Sequence, residues 1–330
     1  MRVAILANPA SGRGRALRLA RELREAVQFS GREVEECSAR DPSAASVIGQ
    51  ADIVVIVGGD GTVHYQLPAL AKSNAALWHA PTGTENLFAR EFGMTTSADD
   101  LLAALDSPHA APIDLATING RHFAIMAGIG PDASIVARVA AARRGPISKM
   151  SYAWPSTIEA MRPSLPSMTI EVEGERVVEN RRGFIVVANS RHYGGRLNPA
   201  RDAVIDDGLL DLVFFPCESR VRAISWTLGC RLGRQGKSRY LISQRAARVC
   251  LKIDTAHRAM LQLDGEFAGN ASGGLDIEVQ PAAMRVLLPI NHPARQGRSK
   301  TKASAGESST PASVTSDSSS IAAPSPSRSV

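Results

Sequence analysis

Residues 52–63 read DIVVIVGGDGTV, and the types gathered there are those from which phosphate chemistry can be built. Gly58, Gly59 and Gly61 lack side chains, so backbone N–H groups at these positions can come close to an anion. Asp60 stands among them with a carboxylate able to reach a magnesium ion or the proton of a hydroxyl, and Thr62 adds a hydroxyl of its own. The competing reading is a plain glycine turn whose aspartate caps the next helix. Two further stretches have a similar make-up. NPASGRGRA near the start offers Ser11, Gly12, Arg13 and Gly14, and it lacks the GK[ST] ending of a phosphate loop. PTGTENLFAR offers Thr82-Gly83-Thr84 ahead of a helix-like segment.

The elements that must position these residues can be read from the apolar pattern. The β-branched run 53–57 predicts a strand buried on both faces of a parallel sheet, and ligands bind beyond the carboxyl ends of such strands. Residues 3–7, 34–38 and 76–80 predict further strands. Helices are expected over about 16–30, with Leu17, Ala20, Leu23 and Val27 on one face, over 44–50 and over 64–72. Glycine turns at the ends of neighbouring strands then converge on one crevice. The second half reads as β, with apolar or alternating runs at 122–127, 168–172, 183–188, 209–215, 247–253, 259–263 and 275–280, a spacing that fits an antiparallel sandwich. Helical insertions are expected at about 131–162 and 218–238. From 291 onwards Ser, Pro and Ala dominate, and such a tail cannot offset its chain entropy by burial, so it is expected to be disordered.

Charge and composition narrow the class. The net charge of the 330 residues is +6, about half of it in the tail, and the remainder is too weak to suggest nucleic acid as a partner. The four cysteines show neither metal-ligand nor disulfide spacing, which fits reduced thiols and a cytoplasmic location. No apolar run is long enough to span a bilayer, and the chain opens on a strand rather than a leader. Residues 218–248 hold eight Arg and Lys against Glu218 alone, with Trp226 and Leu228 among them. That stretch reads either as a solvated helix with Trp226 in the core or as a peripheral docking site on an anionic membrane surface, with Trp226 as anchor and Arg231, Arg234 and Lys237 as attracting charges; a lipid partner would favour docking.

NPASGRGRA, GGDGTV and PTGTENLFAR, in this order and spacing, resemble the diacylglycerol kinase catalytic domain family, which includes bacterial lipid kinases and sphingosine kinases. The resemblance continues through FAIMAGIGPDASIV, YGGRLNPARDAVIDDGLLDLV and LQLDGEFAG, and so covers roughly residues 1–290. GGDGT is shared with NAD kinases; the G-T-x-N, DG-x-LDLV and DGE elements make the likeness specific to lipid kinases.

The resemblance implies a Rossmann-like α/β nucleotide-binding domain over 1–118, an antiparallel β-sandwich lipid domain over 119–290 and a disordered tail over 291–330. It implies transfer of the γ-phosphoryl of ATP, with Mg²⁺, to a lipid hydroxyl. Gly58, Gly59, Gly61, Thr62 and Thr84 would cradle phosphate, Ser11 and Gly12 would assist, and Asn8 and Ser38 would line the nucleotide pocket. Asp60 would organise the Mg²⁺-nucleotide or the acceptor. In the Asp264-Gly265-Glu266 motif, Glu266 matches the family's proton acceptor, and Asp264 joins the catalytic set. Asp207 and the carbonyl of Leu209 would match a structural Mg²⁺ site. Glu85, where a small residue is frequent, and Pro131, where an aromatic is frequent, depart from the pattern and bear on the acceptor. An enzyme of NAD-kinase type with a soluble acceptor and a non-catalytic binding protein of the same fold are the alternatives; the lipid and the oligomeric state stay open.

Overall fold

Strands and one-sided helices alternate through the first 118 residues: β1 (Arg2–Ala7), α1 (Arg15–Phe29), β2 (Glu33–Ser38), α2 (Ala44–Gln50), β3 (Ile53–Gly58), α3 (Asp60–Leu70), β4 (Ala76–Pro81), α4 (Leu87–Phe92), α5 (Ala98–Asp106) and β5 (Ala110–Ile118). The computed structural model describes residues 1–142, 149–233, 240–254 and 259–296, and residues 1–295 form one compact unit. The expectations for 297–330, and for Arg234, Lys237 and Arg239, lie outside the described residues.

β2, β1, β3 and β4 lie in that order, all parallel. Every residue of β3 is buried, as a strand covered on both faces requires. β2 is the edge, and its Glu33, Glu35 and Glu36 keep that edge polar. The chain leaves β1 and β3 in opposite directions across the sheet, so the crevice beyond their carboxyl ends is a topological switch point. The buried face of α1 is Ala16, Ala20, Leu23 and Val27, while Leu17 is 48% exposed. Expecting Leu17 inside was an error of one residue, about 100° of helix rotation. α3 begins four residues earlier than its apolar pattern suggests, at Asp60, so Asp60, Gly61 and Thr62 form its first turn, where N–H groups have no partner within the helix.

The remaining elements are β6 (Arg121–Phe123), β7 (Met126–Ile129), α6 (Pro131–Ala141), a 3-10 turn at Lys149–Tyr152, α7 (Ala153–Met161), β8 (Ser167–Val172), β9 (Glu175–Ala188), β10 (Leu210–Pro216), α8 (Arg220–Leu232), β11 (Ile242–Ala246), β12 (Arg248–Ile253), β13 (Ala259–Leu263), β14 (Glu266–Ala271) and β15 (Gly273–Leu287). One antiparallel layer runs β14-β13-β7-β9-β10-β11. The other joins β9, β8, β12, β15, β5 and β6. Their facing side chains, among them Phe123, Ile170, Ile185, Leu212, Phe214, Leu251 and Ile277, form a second core separate from that of the α/β layers. β9 serves both layers, and β15 continues past β12 to pair in parallel with β4 through Arg285 and Val286. The sandwich is therefore hydrogen-bonded directly to the nucleotide-type sheet, which fixes how the two face each other.

Two sequence expectations need correction. The run 122–127 is two strands, because the N–H groups of Ala124, Ile125 and Met126 go to the carboxylate of Asp264 (2.9, 2.8 and 3.1 Å). Trp226 cannot anchor the protein to a membrane: it is 7% exposed, lies edge-on against Phe215, and donates its indole N–H to Pro216 O at 3.0 Å.

Candidate active site

Three glycine turns meet beyond the ends of β1, β3 and β4. A Cβ on Gly83 would lie 2.7 Å from the Cα of Gly59, so these two turns touch backbone to backbone and tolerate no side chain. Gly12, in the left-handed region at φ +60°, backs onto Thr82, where a Cβ would approach the carbonyl oxygen to 3.1 Å. Side chains complete the weave: Asn8 Nδ2 donates to Thr62 Oγ1 (2.9 Å), Ser11 Oγ meets Thr82 Oγ1 (2.8 Å), and Asn86 Oδ1 accepts from Gly83 N (2.9 Å). Gly58 is buried beneath the cleft surface, where its carbonyl accepts from His79 Nε2 at 3.1 Å. Burial holds that imidazole neutral, with its pKa pushed down to about 4.

Asp60 enters from the start of α3 and accepts the N–H of Phe88, just inside α4, at 3.1 Å. Burial, aided by the nearby Asp264 carboxylate, raises its pKa to about 6, against the lowering effect of the Phe88, Leu87 and Asn86 N–H groups. It is thus an anion at neutral pH held at some cost.

Across the cleft stands the β13–β14 hairpin. Its two-residue loop, Asp264-Gly265, has both φ angles positive (52° and 82°), and a primed turn of that kind suits the twist of paired strands. Leu263 pairs with Glu266 at the hairpin end, which sends the Glu266 side chain onto α3. A Cβ on Gly61 would lie 2.0 Å from Glu266 Oε1. Gly61 is therefore needed to admit the carboxylate of a residue 205 positions away. Tyr65 OH reaches Glu266 Oε2 at 3.4 Å. Asp264 is buried, and its two oxygens accept from three successive N–H groups and meet His64 Nδ1 at 3.0 Å. It positions the hairpin and has no free oxygen for catalysis.

These parts wall a cavity of about 1470 Å³. Asn8, Ser11, Gly12, Gly59, Asp60, Gly61, Thr62, Thr84, Asp264 and Glu266 all line it. Ser38 does not; Ala39 and Arg40 line the wall in its place, and Ser38 Oγ accepts from Arg40 N at 3.2 Å. Asp207 and Leu209 lie outside the cavity. The Asp207 carboxylate is taken by the Arg245 guanidinium and by Leu209 N–H (3.0 Å), a setting that does not fit a hard cation, since the guanidinium already supplies the positive charge. Asp211 beside it is buried, not solvent-facing. Glu85 lines the cavity with Arg90 3.9 Å away.

The sequence reading missed one polar group. Asp132 Oδ2 accepts from Tyr193 OH (2.7 Å) and Gln262 Nε2 (3.2 Å), its Oδ1 is buried without a partner, and burial raises its pKa. Around it Met126, Ile135, Val136 and Leu197 give the cavity an apolar end. The available signal was Gln262, a polar residue between Leu261 and Leu263 in a buried strand.

The arrangement suits phosphoryl transfer: backbone donors at one end, a carboxylate on each side, an apolar end beyond. The model of the diacylglycerol kinase catalytic domain matches residues 2–118, and that of the YegS C-terminal NAD kinase beta sandwich-like domain matches residues 125–288. A protein named diacylglycerol kinase from Mycobacterium tuberculosis is 30% identical over 305 residues, covering 87% of this chain and 95% of that one. A "Probable lipid kinase YegS-like" from Pseudomonas aeruginosa is 31% identical over 300 residues, covering 89% and 91%. The crystal structure of a diacylglycerol kinase from Bacillus anthracis superposes with a TM-score of 0.65 at 19% identity, over 89% of this chain and 97% of that one, a likeness of fold. With the motifs of its cleft and these matches together, the chain belongs to the diacylglycerol kinase catalytic domain family.

Proposed function

We propose that the chain is a lipid kinase that transfers the γ-phosphoryl of Mg-ATP to the hydroxyl of a lipid such as diacylglycerol or a sphingoid lipid. Membership of a kinase family implies use of ATP; the acceptor and the roles below are the reading the geometry supports best. The observation that carries it is the placement of Glu266 Oε1 against Gly61, next to Asp60, in a cleft with phosphate-type turns at one end and apolar walls at the other. When bound, Mg-ATP supplies the transferable group and the neutralising charge. Magnesium takes one or two carboxylates together with substrate phosphates, so the ionised Asp60 fits without a dedicated cluster. Among the described residues none of three or more acidic, His or Cys side chains is found.

In this reading residues 1–118 serve the nucleotide and 119–290 the acceptor. The N–H groups of Asp60 and Gly61 at the start of α3, together with the Gly12 turn, bind phosphate oxygens, while the Gly83 turn, its N–H held by Asn86, shapes the wall. Glu266 takes the hydroxyl proton, Tyr65 and the Asp264–His64 pair hold the hairpin that carries it, and Asp132 faces the polar head of the acceptor. Met126, Ile135, Val136 and Leu197 cover its chains. No described helix is long and apolar enough to cross a membrane, so such an enzyme would meet its lipid by peripheral contact with an anionic surface. Nothing in the charge calls for nucleic acid.

ATP labelled at the γ-phosphorus, incubated with the protein and a total lipid extract, should deliver label to a chloroform-soluble product, and Asp60→Asn should deliver none. Label confined to a water-soluble product would favour a soluble acceptor of the NAD-kinase type instead.

A further inference from the structure

α8 carries apolar side chains on two opposite faces. Ala223, Trp226 and Cys230 form its buried face. On the far side, at spacings of three, four and four, stand Val221, Ile224, Leu228 and Leu232, which are 72%, 50%, 54% and 56% exposed. A helix on the surface of a globular protein turns polar residues outward, and a continuous stripe of large aliphatics in water marks a contact surface. Charge says what contacts it. Arg220 flanks the stripe on one edge and Arg222 on the other, by the 100° step of the helix, while Arg231, on the same edge as Arg220, donates to Gly195 O at 3.1 Å at the cavity wall. Only Glu218 opposes them close in sequence. Arg222 is exposed, with its guanidinium over the ring of Tyr240, itself 46% exposed, at 4.7 Å. Pairing two copies stripe to stripe would bring these arginines together, whereas an anionic surface would neutralise them.

The neighbouring elements add exposed apolar side chains of their own and tie the helix to the cleft. α7 packs against α8, and Trp154 on α7 and Met150 on the preceding turn are 71% and 79% exposed. Tyr152 and Ser156 beside them, and Arg231 of α8, line the cavity. We infer that the outer face of α8 is a docking surface for an anionic lipid bilayer, inserting its aliphatic stripe while its arginines meet head groups, next to the cavity that takes the acceptor. The inference builds on the lipid-kinase reading and replaces Trp226, which is buried, with the residues that are free to insert.

The test uses the full chain, wild type and Ile224→Glu/Leu228→Glu, with vesicles of phosphatidylcholine alone or mixed with phosphatidylglycerol. The wild type should sediment with the mixed vesicles, less so at high salt, and the tryptophan emission should shift blue. The double variant should bind about tenfold or more weakly, since acidic groups replace apolar area that the bilayer would cover. Both proteins should melt alike and phosphorylate a detergent-dispersed short-chain diacylglycerol within about twofold of each other, because neither position touches the cleft. Equal vesicle binding by the two proteins, no binding by the wild type, or a wild-type dimer that the variant splits would each overturn the inference. If neither protein phosphorylates the dispersed lipid while only the variant loses vesicle binding, the docking surface stands and the kinase reading falls.

Discussion

The carboxylate of Asp60 is held where burial opposes its charge, with Asp264 nearby adding to the opposition and N–H groups at the start of α4 offsetting part of it. Its folded pKa of about 6 lies above that of an unfolded chain, so Asp60 lowers stability as pH rises from about 4 to 6 and leaves the full cost at neutral pH. Asp60→Asn keeps an acceptor for Phe88 N–H and removes the charge. It should raise the stability at pH 7 by an amount on the order of 1–3 kcal/mol, read as a higher melting temperature, and the gain should vanish below about pH 4, while activity is lost. A melting temperature unchanged at pH 7 would mean that the carboxylate is not under strain. The same group predicts the acid limb of the pH profile: if Asp60 must be ionised, kcat/KM falls below a pKa near 6. At this scale the sequence was informative about residue types but not about roles. Asp60 and Glu266 could be singled out because glycines surround one and a DG turn precedes the other. Asp264, in the same motif, looks equally catalytic in one dimension, and only its four hydrogen-bond partners reveal it as a positioning residue.

At the scale of elements, the cleft depends on glycine where backbone meets something brought from far along the chain. Gly61→Ala would place a methyl 2.0 Å from Glu266 Oε1, and the side chain, being flexible at that end, would swing away. kcat should fall at least about tenfold while the melting temperature moves by only a few degrees; an alanine variant of normal kcat would show that Glu266 is not needed at that spot. Gly83→Ala differs, because its methyl would meet the Gly59 backbone at 2.7 Å, and backbone cannot step aside cheaply. Loss of stability and of nucleotide binding together is expected there, read by thermal melting with and without ATP. The periodic elements were legible because parallel strands covered on both faces read as unbroken apolar runs, as 53–58 does. What was not legible arises from tertiary demands. The run 122–127 breaks where Asp264 takes three N–H groups out of the ladder. The strand Ala110–Ile118 has no strand-like pattern in sequence because an aspartate interrupts its apolar residues. That residue, Asp114, is buried and spends its oxygens on Gly208 N and Ala282 N. Trp226, set among arginines, read as an anchor until packing against Phe215 placed it inside.

In the molecule as a whole, the two carboxylates proposed for catalysis come from positions 206 residues apart that different elements carry. Asp60 belongs to the α/β layers, and Glu266 to a hairpin of the sandwich. They face one cleft because β15 runs from the sandwich into the parallel sheet and because His64 of α3 grips Asp264 at 3.0 Å. No sequence pattern shows that convergence, although the order of the motifs is consistent with it. In the proposed reaction Glu266 receives the acceptor's proton while the α/β side holds the nucleotide. Glu266→Gln keeps the size and shape of the side chain and removes the base. Measured under saturating ATP and lipid, with ATP affinity and melting temperature determined on the same preparation, kcat should fall by about two to four orders of magnitude while ATP affinity stays near wild type. A variant that melts like the wild type and turns over within about tenfold of it would contradict the assignment.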